Sequence, residues 1–371
     1  MKPNIILVLL DGSRWDRTNI SSDFLDLQKK GTFVNNVTTT APYTFSSVNT
    51  IFTGKYGKEN GVNAYYKMFK LKDSVAFLPE ILKKNGYVTS CNLISNKVIS
   101  SRGFDIYESH NEYEDDLSVT HPQFLQKTFE IAAGKPIFTF LQFSKIHTAT
   151  VSEVLKKYEW NDEAFYEKKD QNRIVYDNAF LSAGKYAKII YDELSKLDKL
   201  SNTIIIFFSD HGTGIGERFG ERNYGVYLFE ETIRTFYLFI GPNMIKTKKS
   251  ESLLSTIDIL PTILDLCKID QLDNLLGQSI SKFLTDQTRK LIGKTNTFSE
   301  TGGLQGPFPS FYEPNVFCIK SSQYKLIYYK TTQEWLLFDL LEDPLETINL
   351  YGKELEIENK LKQKLLEWID R

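Results

Sequence analysis

Asp210-His211-Gly212 puts a carboxylate and an imidazole on adjacent residues, one residue beyond the apolar run 204–208. A turn there splays both side chains toward one cation, and Gly212 lets the backbone bend. Asp11 follows a second apolar run, 5–10, and supplies another carboxylate. Oxygen and nitrogen ligands without thiolate suit manganese, zinc, magnesium or calcium. Taken singly, either acid reads as well as a helix cap or an arginine partner; together they read as a metal cluster. The segment 41–54, APYTFSSVNTIFTG, sets hydroxyl residues after a proline turn at the start of an apolar helical stretch. Orphan N–H groups and the helix dipole favour an anion at such a point. A hydroxyl there can ligate a metal as alkoxide and attack phosphorus or sulfur. Thr44, Ser46 and Ser47 are all candidates, and plain capping accounts for each of them too. A third run, 136–143, is followed by Lys145 and His147.

The elements that must position these groups are strands and helices in alternation. Residues 5–10, 87–93, 136–143, 203–208 and 236–240 read as buried strands, and 78–85 and 180–197 as helices. Strands that are apolar throughout imply a mostly parallel sheet sandwiched by helices, with ligands beyond the strands' carboxyl ends. The character changes near residue 310. Segments 316–329 and 335–340 read as paired strands around a turn at 330–333, and 354–369 as an amphipathic helix. The expectation is an α/β catalytic domain over 1–310 and a small α+β subdomain over 311–371. The polar and aromatic stretch 148–173, with Tyr158, Trp160 and Tyr166, follows His147 and reads as a lid or substrate loop. Those rings would stack on a sugar.

Composition removes several classes. The 371 residues carry 45 Lys+Arg against 47 Asp+Glu, which excludes the basic excess of a nucleic-acid binder. Three scattered cysteines argue against a disulfide framework or a thiolate zinc site. With four histidines in all, a histidine-rich two-metal site would consume most of them. The run 5–10 is too short to cross a bilayer and lacks a signal-peptide cleavage site, so no membrane span and a cytoplasmic location are expected.

The ordered set of motifs resembles the alkaline phosphatase superfamily on its sulfatase-like branch. PNIILVLLDGSRWD at 3–16 is similar to the first strand and metal acid of that family. Ala41-Pro42 through Thr53-Gly54 to Asn60-Gly61 is similar to the nucleophile helix and following loop. Ser209-Asp210-His211-Gly212 with Glu230, Glu231 and Arg234 is similar to the second metal segment, and Asp258, Pro261, Asp339 and Pro344 mark later landmarks. The resemblance runs from residue 3 to about 350 and implies an alkaline phosphatase-like fold. It assigns the nucleophile to Thr44 and one divalent metal, manganese first, then zinc, calcium or magnesium, to Asp11, Thr44, Asp210 and His211. His147 would assist the leaving group, and Lys145 would neutralise substrate charge.

Departures from the family pattern shape the expected reaction. Sulfatases carry Cys or Ser, oxidised to formylglycine, where this chain has Thr44, and an Arg where it has Val48. Paired acids in the first motif are here Asp11-Gly12, and Tyr224 replaces a usual His or Lys. A threonine nucleophile resembles lipoteichoic acid synthases, phosphoethanolamine transferases and nucleotide phosphodiesterases. The expected function is therefore phosphoryl transfer through a phosphothreonine, by a hydrolase or transferase acting on a small-molecule or glycan phosphoester. A homo-oligomer is compatible with this. The alternatives are a sulfatase with an atypical nucleophile and a non-catalytic scaffold of the same fold.

Overall fold

The computed structural model describes residues 2–150, 159–242, 245–303 and 305–371. Thirteen strands are named here in chain order: β1 Asn4–Leu10, β2 Gly31–Thr38, β3 Val88–Leu93, β4 Ile106–Ser109, β5 Ile137–Phe143, β6 Thr203–Phe208, β7 Arg234–Ile240, β8 Lys248–Ser250, β9 Leu254–Ser255, β10 Thr297–Thr301, β11 Val316–Lys320, β12 Tyr324–Tyr329 and β13 Glu334–Asp339. The large sheet runs β4-β3-β5-β1-β6-β7-β2-β8, with β9 beside β2. β1 lies between β5 and β6 and is parallel to both, while β7 is antiparallel to both of its neighbours.

Every residue of β1, β5 and β6 is buried, because helices cover both faces and an unbroken apolar run satisfies both at once. Along β1 the side chains alternate between two cores. Ile5, Leu7 and Leu9 join Val48, Ile51 and Leu260 on one face. Ile6, Val8 and Leu10 join Phe24, Phe124 and Phe180 on the other. Three adjacent parallel strands therefore end together, and their carboxyl ends deliver Asp11, Lys145 with His147, and Asp210 with His211 to one edge.

The second sheet, β10-β11-β12-β13, is antiparallel throughout. The helix Glu356–Asp370 packs Leu361, Leu365 and Trp368 on Phe317, Ile319 and Leu326 of one face. The other face rests on Leu228, Phe229 and Ile233. A mostly parallel α/β sheet with a small antiparallel sheet after it is thus the architecture. Three details differ from the sequence reading. Residues 316–329 form two strands, turned at Ser321, whose hydroxyl accepts from Tyr324 N and whose own N–H donates to Tyr324 O. The helix expected from 180 starts at Lys169, because its first turns lie on the protein surface and show little apolar period. The small sheet takes its first strand from Thr297–Thr301, ahead of residue 310, since β10 pairs with β11. Among the described residues no helix is long and apolar enough to cross a membrane.

Candidate active site

Asp11 is the first residue after β1, and its N–H still donates to Phe143 O at 3.0 Å, which extends the ladder to β5. Its Oδ2 accepts from Gln142 Nε2 at 2.6 Å, which leaves Oδ1 turned to the cluster. Asp210 Oδ1 accepts from the N–H groups of Gly12 and His211 at 3.3 and 3.0 Å. Asp210 Oδ2 is buried without a hydrogen-bond partner. His211 Nδ1 donates to Gly212 O at 2.7 Å, so Nε2 is the nitrogen that offers a lone pair inward.

Thr44 is the first residue of the helix Thr44–Thr53, and the cap residue Tyr43 makes no side-chain cap bond. The competing hydroxyls are otherwise engaged. Ser47 Oγ donates to Asp210 O at 2.8 Å and meets Thr39 Oγ1 at 2.8 Å, and Ser46 is buried within the helix. The Thr44 hydroxyl points instead to Asp11 Oδ1 at 3.4 Å and His211 Nε2 at 3.3 Å. His211 Nε2 lies 3.5 Å from Asp11 Oδ1 and 3.6 Å from Asp210 Oδ2.

The cluster suits a cation. Burial raises the carboxyl of Asp11, helped by Asp210 and opposed by His147 and His211. Burial pushes Asp210 up to about 6, against the pull of the Gly12 N–H. Two buried carboxylates that repel each other, one with an unpartnered oxygen, gain most from a positive ion between them. One ligand atom from each of Asp11, Asp210 and His211 lies within 4.8 Å of the others, the one such group among the described residues.

The cavity over this cluster holds about 280 Å³ and is lined by Asp11, Thr44 and His147, by Glu112 and Gln142, and by aromatic walls. Tyr43 and Tyr65 stack at 4.5 Å, and Phe45 meets Tyr65 edge-on. Tyr224 lies over the His211 ring at 4.4 Å. The structure thus brings together Asp11, Thr44, His147, Asp210 and His211 but not Lys145. That side chain is exposed and does not line the cavity, because Ser144 and His147 take the inward positions of the turn. Trp160 and Tyr166 form a separate cluster with Phe219, and Tyr158 lies outside the described residues. The sequence reading did not find Glu112, Gln142 or the Tyr43–Tyr65 wall. Gln142 left a signal, a polar residue inside an apolar strand; Glu112 sits among four acids on a loop and left none.

Gly12 explains the missing second acid of the first motif. Its φ is +71°, and a Cβ there would lie 2.9 Å from Thr213 Oγ1 and 3.1 Å from His147 Cα. Arg14 pairs with Asp16 at 2.9 Å and Glu217 at 2.6 Å beneath this turn, a structural contact.

Comparison with known proteins bears on this geometry. A family model described as Sulfatase matches residues 3–269. A second, described as N-sulphoglucosamine sulphohydrolase, C-terminal, matches residues 221–371. Arylsulfatase K of Gallus gallus is 29% identical over 245 residues, covering 62% of this chain and 43% of that protein. The matched region is thus less than half the length of that relative. A solved 2-O GAG sulfatase superposes with a TM-score of 0.82 at 18% identity, over 100% of this chain and 92% of the other. A protein solved with its substrate D-glucosamine-2-N,6-O-disulfate superposes at 0.76 and 17% identity, over 99% and 97%. These findings overturn the expectation of phosphoryl transfer through a phosphothreonine. That expectation gave one residue type, Thr44, more weight than the collinear motif set, whose matches are sulfatases. The model match covers most of the chain, end to end with the strands and turns that build the site, and the chain belongs to the sulfatase family.

Proposed function

We propose that this chain hydrolyses sulfate esters of a sugar. Thr44 is the nucleophile, His147 the proton donor, and Asp11, Thr44, Asp210 and His211 hold one divalent cation. The observation that carries the reading is the meeting of Thr44 Oγ1 with Asp11 Oδ1 and His211 Nε2 at 3.3–3.5 Å, at the carboxyl end of the sheet. A bound cation would supply positive charge to the substrate's sulfate oxygens and to the Thr44 oxygen.

The chain's own groups then divide the work. Thr44 Oγ1, stripped of its proton to solvent, bonds to sulfur as the bond from sulfur to the sugar oxygen breaks. The departing oxygen takes a proton from His147 Nε2. Water then attacks the sulfur and releases sulfate and the Thr44 oxygen. One water proton returns to His147 and the other passes to solvent. The aromatic side chains that line the cavity, Tyr43, Phe45, Tyr65 and Tyr224, give it an apolar wall against which a sugar ring can pack.

The test is a panel of nitrophenyl sulfate, nitrophenyl phosphate and sulfated monosaccharides, assayed with manganese, calcium, magnesium or zinc after chelation. Sulfate release that returns on adding metal is expected, and Thr44→Ala should lower kcat by at least about 1,000-fold. Turnover of the phosphate ester alone, or an active Thr44→Ala, would overturn the reading.

A further inference from the structure

His147 lies at the wall of the cavity, and what fixes its ring comes from two directions. Its Nδ1 donates to Ser144 O within its own turn. It also faces Glu112 Oε1 at 3.3 Å, and both side chains are nearly closed to solvent. Glu112 comes from the loop after β4, lines the same cavity, and accepts a further bond from Thr148 Oγ1 at 3.0 Å. Burial raises its carboxyl, and the neighbouring His147 and Thr148 pull it back down.

The loop that carries Glu112 is anchored rather than loose. His110 N donates to Leu93 O at 2.9 Å. Its ring meets Asn92 Oδ1 at 2.7 Å and Ser144 Oγ at 3.4 Å. Asn111 N donates to Asp115 Oδ2 at 2.7 Å. His121, behind it, meets Asn92 Oδ1 and the Tyr186 hydroxyl. Two of the histidines left over from the cluster thus tie the ends of β3, the loop and the Ser144 turn into one unit.

We propose that Glu112 is a positioning residue for His147. Its carboxylate lies beside Nδ1, favours the proton that Ser144 O holds there, and leaves Nε2 to serve the departing oxygen. The inference rests on the sulfate-ester reading above. Ser144 O takes the Nδ1 proton, and the Glu112 carboxylate 3.3 Å from the same nitrogen adds a negative charge that favours this tautomer, as a carboxylate does beside a catalytic imidazole in other enzymes. Thr148 in turn fixes the carboxylate.

A leaving-group comparison separates this role from a structural one. A sugar alcohol leaves poorly and needs the proton; nitrophenol is acidic and leaves without it. The experiment measures kcat and KM for a sugar 6-sulfate and for 4-nitrophenyl sulfate, with wild type, E112A, E112Q and T148V. E112A should lower kcat on the sugar sulfate by about 10- to 100-fold and on the nitrophenyl ester by less than about 3-fold, with KM nearly constant. E112Q keeps the shape and a polar oxygen beside Nδ1 but not the charge, and should recover only part of the loss. T148V should move the same ratio in the same direction by a smaller factor, which keeps the test decisive if E112A does not fold. Equal losses on the two substrates, or no loss on either, would overturn the role of Glu112. A wild type that releases sulfate from neither would instead overturn the proposed function.

Discussion

At the scale of the residue, the site is built from very few side chains, each fixed by a neighbour rather than by its own sequence context. Gln142 turns Asp11, the backbone of Gly12 and His211 turns Asp210, and Gly212 O turns His211. Gly12 shows how tight this is. In the sulfatase-like pattern an acid stands there, yet a side chain would drive into Thr213 and the backbone of His147 with φ at +71°. Gly12→Asp therefore should not add a metal ligand. It should destabilise the fold by about 3 kcal/mol, through steric overlap and backbone strain, and displace His147. Calorimetric binding of manganese or calcium alongside denaturant unfolding checks this; tighter metal binding at unchanged stability would refute it.

At the scale of the element, the helix Thr44–Thr53 has two jobs that pull on the same residues. Its first residue serves the site, while Val48, Ile51 and Phe52 are fully buried against β1 and its neighbours. Val48 occupies the position of an arginine in the family pattern, but here it faces the core. Val48→Arg would bury a charge without a partner and should cost about 3–5 kcal/mol, read as a lowered denaturation midpoint, with no gain in sulfate release. The same helix marks what the sequence makes legible. Apolar runs at 5–10, 136–143 and 203–208 declare buried strands, and the residues after each run declare the site edge. Register and order are not written locally, so the pairing of β10 with β11, which begins the small sheet at Thr297, was not legible. Thr44 stands ten residues before Gly54 in the motif, and its hydroxyl is the one aimed at Asp11. Glu112 reaches His147 from a loop without periodicity, and only the packing of strand ends brings the two together. Lys145 went the other way: adjacent in sequence, it turns out to solvent.

At the scale of the whole molecule, the segment 221–234 joins the large sheet to the small one, and it is held by buried charge. Glu230 meets Lys320 at 2.8 Å and Lys325 at 2.9 Å, and Lys325 reaches Glu346 at 2.6 Å. Thr301 Oγ1 donates to Gly225 O, and Gln305 Nε2 to Arg222 O and Tyr224 O. Breaking such a joint should loosen the cavity as well, because Tyr224 is one of its walls. Glu221 sits at the start of this joint and makes no ion pair among the described residues, the neighbouring Arg222 being turned to Glu159 and Asp162. It accepts from Val226 N and Tyr227 N at 2.9 Å each, yet burial, with Glu231 and Glu217 nearby, pushes its carboxyl from 4.5 up to about 8. The folded state thus binds this proton more tightly than the unfolded chain does. The stability it contributes is complete below about pH 4.5 and is lost as pH rises through about 8. Glu221→Gln copies the neutral acid and keeps an acceptor for both N–H groups, so it should remove that loss. The variant should match wild type at pH 4.5 and exceed it by up to about 5 kcal/mol at pH 9, roughly 5–10 °C in Tm for a chain of this size. Glu300 and Glu346, each pushed by burial to about 7, titrate alike in both proteins and cancel in the difference. Thermal unfolding of the pair at pH 4.5 and pH 9 isolates Glu221: an equal gap at both values would mean that the carboxyl is ionised in the fold throughout.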